Sequence, residues 1–148
     1  MNSDTTLGGG QMGLIDLTGN GSVTAQQITD WVISGVDSYL EPNRYYYSAG
    51  SCKFSNQSFH QALDDKIASQ DPLLFPVYDP TRTHLSTNPP QYWVVGWAAF
   101  VITSYRLNGC GNKNDFIDGY FVHYIAKGRI DPSVTMPDYG VYVIQLID

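Results

Sequence analysis

The sequence predicts an α+β fold, a single domain in which a mainly antiparallel, twisted sheet carries two short helices packed on one face. Three observations predict it. A chain of 148 residues is one domain by length and can bury roughly 70% of the surface its unfolded form exposes. Its apolar patterns run strand, helix, strand, helix and then several strands in succession, an order that gathers helices against a sheet. The middle, Gln91 to Leu107, carries one charge, Arg106, and is dense in the aromatic and β-branched residues that pack on a pleated surface.

Residues 1–10, ending in Gly8-Gly9-Gly10, are expected to form a flexible leader, with the globular domain at 11–148. Gln11 to Leu17 reads as a strand closed by the turn cluster Thr18 to Ser22. Thr24 followed three residues later by Gln27 has the form of a capping box. A helix should therefore start there, bury Ile28, Trp31 and Val32, and stop at Gly35. Val36 to Leu40 is expected as a brief strand, and Arg44 to Phe54 is compatible with a loop or an edge strand. The second helix is capped by Ser55 or Asn56 and buries Phe59, Leu63 and Ile67, spaced four apart. Leu73 to Tyr78 is a strand whose Pro76 cannot donate to a ladder, so it belongs at an edge or a bulge. Asp79 to Pro90 is a surface loop with three prolines. Ile117 to Ala126 and Gly140 to Ile147 are the last two strands.

In the central strand, strict alternation places Trp93, Val95, Trp97, Ala99 and Val101 on one face and Val94, Gly96, Ala98, Phe100 and Ile102 on the other. Both faces are apolar, so both should be covered. A membrane helix is the competing reading, but the uncharged run is roughly fifteen residues where a span needs about twenty.

The composition is 43% hydrophobic, 15% charged and holds eleven tyrosines, a profile closer to secreted or surface proteins than to cytosolic enzymes. A formal net charge of −6, with eight basic residues scattered along the chain, argues against nucleic acid and against a polybasic membrane patch. The polar start has no basic signal region. Cys52 and Cys110 each sit in a Gly/Ser/Asn-rich stretch, where a buried structural thiol is unusual, so a disulfide between loops is expected.

The most specific local pattern is Asp16-Leu-Thr-Gly-Asn-Gly-Ser-Val-Thr-Ala-Gln-Gln27. Asp16, Thr18, Asn20 and Ser22, with Gln27 at the closing position, resemble a calcium loop, which needs oxygens at alternate positions and a glycine turn. Only Asp16 is charged, Gln27 stands where a bidentate Glu belongs, and the preceding segment is a strand. The plain reading is a strand–turn–helix connection with no metal or cofactor. His60, His84 and His123 lack zinc-site spacing, and neither cysteine lies in a nucleophile signature, so the chain reads as non-enzymatic, with a small hydrolase the least favoured option. Tyr45, Tyr46, Tyr47 and Tyr92 are candidate stacking platforms for a glycan, set against the commoner role of tyrosine in half-buried sheets.

Six collinear pieces carry a family resemblance: Gly13 to Leu17, Trp31 to Gly35, Leu74 to Asp79, Tyr92 to Tyr105, Gly119 to Val122 and Asp138 to Tyr142. Together the chain resembles the extracytoplasmic domain of TadE/TadG-like proteins of tight-adherence (Flp) pilus assembly. The resemblance implies an exported envelope or extracellular domain that works through protein partners. It also implies an N-terminal membrane helix, so the chain is expected to be an excised domain whose membrane contact runs only through a segment absent from it. It brings no catalytic residues. A secreted glycan- or calcium-binding module is the alternative.

Overall fold

The structure is a computed structural model that describes residues 5–8, 14–108, 114–127 and 141–144. In chain order the elements are β1 (Thr5–Gly8), β2 (Ile15–Asp16), α1 (Ala25–Ser34), β3 (Arg44–Ser48), a 3-10 turn (Ser51–Ser55), α2 (Gln57–Ser69), β4 (Leu73–Tyr78), β5 (Gln91–Arg106), β6 (Phe116–Val122), β7 (Tyr124–Lys127) and β8 (Val141–Ile144). Strands β1 to β6 form one antiparallel sheet, so the α+β expectation holds.

The sheet is hung on β5. Val94 pairs with both Arg44 of β3 and Tyr78 of β4, while Ala99 and Phe100 pair with both β4 and β6. Two strands that share a residue must lie on opposite edges of it. One edge of β5 therefore carries β4, and the other is divided between β3 at Gln91–Val94 and β6 at Ala99–Arg106. Beyond these, β2 extends β3 and β1 extends β6. Pro76 sits in β4, where its missing N–H can face away from β5, as the sequence requires.

Strict alternation along β5 does not hold. The register slips between Val77 and Tyr78 of β4, leaving Val95 as an extra residue, and slips again at Thr103 against β6. Each bulge turns the following side chains over. Val94 and Trp97, expected on opposite faces, consequently share one cluster with Tyr46, packed by Ile15, Leu17 and Leu40. Phe100 and Ile102 face the helices with Phe59 and Leu63 of α2, Ile28 of α1, and Val23, Phe54, Leu107 and Ile117. Trp31, Val32 and Ile67 pack on the same cluster, so both helices cover one face as expected.

Local signals explain the helices. The capping box is complete: Thr24 Oγ1 accepts from Gln27 N at 3.1 Å and Gln27 Oε1 accepts from Thr24 N at 2.9 Å. At the other end of α1, Gly35 adopts φ +80°, which a side chain would strain. For α2 the cap is Asn56, whose Oδ1 accepts from Phe59 N at 3.1 Å.

Four expectations need correction. Thr5–Gly8, assigned to the leader, form β1, because two threonines and a leucine can complete the edge of β6. Val36 to Leu40 is irregular; Leu40 packs under Tyr46 instead of entering a ladder. The strand expected over Ile117 to Ala126 is interrupted at His123, after which β7 leaves the sheet. It pairs with β8 in parallel, the one departure from antiparallel pairing among the described residues. The expected first strand is reduced to Ile15–Asp16, Gln11 to Gly13 lying outside the described residues. No helix among the described residues is long and apolar enough to cross a membrane.

Candidate functional site

Where β3 meets the start of β5, the sheet presents an aromatic ledge. Tyr45 lies opposite Trp93 in the ladder, and their rings meet edge to face at 4.8 Å, a geometry that favours aromatic pairs. Tyr45 Oη contacts His84 Nε2 at 2.9 Å, and the two rings are 5.0 Å apart. Over the indole sits Arg82, its guanidinium carbon 3.5 Å from the ring centroid. Such a cation over tryptophan contributes on the order of 0.5–2 kcal/mol, depending on its exposure.

The loop after β4 holds these groups in place. Asp79 Oδ1 accepts from Thr81 N at 2.8 Å and Thr81 Oγ1 at 2.7 Å, and these bonds hold its carboxyl below the usual carboxylate range. Asp79 N donates to Trp93 O at 2.9 Å, and Thr83 Oγ1 donates to Asp79 O at 2.8 Å, so the turn carrying Arg82 is tied to β5. His84 exchanges two backbone hydrogen bonds with Gln91, at 2.8 and 3.0 Å, which fixes where its ring emerges. Tyr45 is 37% exposed and the neighbouring Leu85 55%. The ledge is open to solvent.

The expected tyrosine platform is not one surface. Consecutive strand residues point to opposite faces, and Tyr46 turns inward, 3% exposed, with its ring on Trp97 and its hydroxyl donating to Glu41 O at 2.8 Å. Burial pushes that hydroxyl's pKa up, against the pull of the Arg44 charge. Tyr92 meets Tyr78 at 5.3 Å and is half-buried; burial, with Tyr78 beside it, raises its pKa too. Arg82 and Trp93, which complete the ledge, escaped the sequence reading. Trp93 looked like core, and nothing local announces that a loop arginine eleven residues upstream will cover its ring.

At the adjoining corner, the loop after β2 runs over Tyr47: a Cβ built on Gly21 would lie 3.8 Å from Tyr47 Cδ2. Asp16 is fully buried and accepts from Thr18 N and Thr18 Oγ1, and Asn20 Oδ1 lies on the other side of that hydroxyl. Gln27 is not part of that convergence, because its side chain is spent on the helix cap. Ser22 contributes its N–H, which donates to Asn20 Oδ1 at 2.8 Å.

The histidines are dispersed. His60 lies on α2, where its Nε2 contacts Phe54 O and its ring meets Tyr105 edge to face at 5.5 Å; His84 is in the ledge; His123 follows β6. Among the described residues no group of three or more His, Cys, Asp or Glu is placed to hold a metal. Cys52 lies in the 3-10 turn, while Cys110 falls outside the described residues, so their bridge stays a proposal. Comparison with family models, with curated proteins and with solved structures returns no match.

Proposed function

We propose that this chain is a non-enzymatic docking domain, acting through protein–protein contacts at the cell surface, with the ledge of Tyr45, Trp93, Arg82 and His84 as its contact surface. The observation that carries the reading is the ledge itself. Tyr, Trp and Arg dominate the energetics of protein interfaces because they offer large, stiff, amphipathic area with a polar end. Here Tyr45 stands exposed at the sheet end beside the half-buried Trp93, and Arg82 reaches over the indole from a loop tied to β5 by hydrogen bonds. Glycan stacking is less well supported, since a sugar needs a free aromatic face and Arg82 already covers a face of Trp93. Export to the envelope, a Cys52–Cys110 bridge and a place in a tight-adherence pilus assembly, as the sequence resemblance implies, belong to the same proposal.

The test is site-specific photocrosslinking in the cell that makes the protein. A photoreactive residue at Tyr45 or Leu85 is expected to capture a surface or pilus component, and Arg82→Glu should weaken that capture at least tenfold. The same probe at Gln61, on the exposed side of α2, should not capture it. Equal capture from Gln61, or none from the ledge, contradicts the proposal.

A further inference from the structure

We propose that the loop Asp16 to Ser22 binds a divalent cation of the calcium type, through the Asp16 carboxylate, the Thr18 hydroxyl and the Asn20 side-chain carbonyl. The inference rests on counting protons. Thr18 Oγ1 lies 2.6 Å from Asp16 Oδ1 and 2.7 Å from Asn20 Oδ1. A hydroxyl has one proton, so it can donate to one of these oxygens and not to both. With the Asp16 carboxyl ionised, the remaining oxygen–oxygen contact, shorter than a typical N–H···O bond, then has no proton in it. Turning the Asn20 amide over does not help. It would bring an NH2 group to Thr18 but set it against Ser22 N, which now donates to Asn20 Oδ1 at 2.8 Å.

A second, separate deficit lies in Asp16. Its side chain is 0% exposed, and its Oδ2 has no hydrogen-bond partner, although Oδ1 accepts from both Thr18 N at 2.7 Å and Thr18 Oγ1. A buried carboxylate oxygen without a donor costs several times what an ordinary hydrogen bond contributes. Both deficits are of the same sign: acceptor oxygens have gathered without enough positive charge among them. A hard cation at 2.3–2.6 Å from each oxygen supplies that charge, and the alternate-position spacing is the one a calcium loop uses.

The charge count sets the affinity. One carboxylate, with Gln27 held in the helix cap, gives a weak site, in the ~10⁻⁴–10⁻³ M range of extracellular modules. Arg44, whose Nη2 would lie 3.7 Å from a Cβ built on Gly19, adds repulsion at the rim, partly offset by its 2.7 Å pair with Glu41. This inference is independent of the docking proposal.

Terbium luminescence excited through tyrosine gives the direct readout, because Tyr47 packs beneath Gly21. Terbium should light up on the full chain and be displaced by millimolar calcium, and 10 mM calcium should raise Tm by ~3–10 °C, reversibly with EDTA. Asp16→Asn should abolish both effects, and Asp65→Asn, on the exposed side of α2, should leave them intact. Because Asp16 is buried and its loss could unfold the loop, Asn20→Asp is the decisive variant. A second carboxylate at an exposed position should tighten calcium at least tenfold. Calcium binding that is unchanged by Asn20→Asp, or terbium emission that survives Asp16→Asn, overturns the proposal.

Discussion

Replacing Gly119 by alanine tests the closeness of β5 and β6. A Cβ built there would lie 2.0 Å from the Val101 carbonyl oxygen and 2.7 and 2.9 Å from Cε1 and Cζ of Phe100. The ring is 0% exposed and boxed in by Phe75 at 5.1 Å and Phe121 at 4.9 Å, so it has little room to turn. The carbonyl belongs to the backbone of the central strand, and clearing it means prising β6 away from β5 where Gly119 faces Ile102. Overpacking costs about 1–3 kcal/mol when side chains alone must give. With ladder hydrogen bonds stretched as well, about 3 kcal/mol or more is expected. For a chain of this size that is a fall in Tm of ~6–12 °C. Urea unfolding should show the midpoint drop at unchanged slope. Phe100→Leu in the same background separates the two contacts. If the carbonyl dominates, trimming the ring gives no rescue and the two losses add. A Gly119→Ala protein with the wild-type urea midpoint would refute the register between β5 and β6.

Other perturbations follow from the same packing. Tyr105 Oη donates to Asp64 Oδ1 at 2.9 Å, with His60 O also within 3.1 Å, tying β5 to α2, and burial, then the Asp64 hydrogen bond and charge, push its pKa up to about 12. A tyrosine raised from roughly 10 in the unfolded chain stabilises the fold fully below pH ~10 and loses that contribution as pH rises through 12. Tyr105→Phe should therefore show a flatter decline of Tm between pH 10 and 12 than wild type, and parallel curves would contradict the assignment. For the proposed Cys52–Cys110 bridge, mass spectrometry should find the chain two hydrogens lighter before reduction than after. Reduction should then lower stability by up to roughly 4 kcal/mol on the chain-entropy model. A pair of freely alkylated thiols in the unreduced protein would remove the bridge.

Much of this fold was legible because its signals are local. Thr24 with Gln27, Asn56 ahead of Phe59, Gly35 after Ser34 and Pro76 in an edge strand each carry their reason within a few residues. What escaped was set by partners distant in the chain. The bulges at Val95 and Thr103 exist only relative to β4 and β6, so alternation alone misplaced Trp97 against Val94. The break at His123 likewise depends on β8, which draws β7 into a separate pairing. The ledge was half legible: tyrosines marked β3, but which of them faces out was decided by the Tyr45–Trp93 register and by Arg82 folding back from the loop. In the Asp16 loop the spacing was visible at once, whereas the missing proton emerges only from distances between three oxygens.

Native-state hydrogen exchange tests most directly whether the aromatic middle of the chain is the interior spine on which the aromatic ledge rests. Amides of Ala98 to Ile102, buried between neighbouring strands, are expected to exchange slowest of the described residues, opening only with global unfolding. Exchange there as fast as in the loop from Thr81 to Thr87 would contradict it.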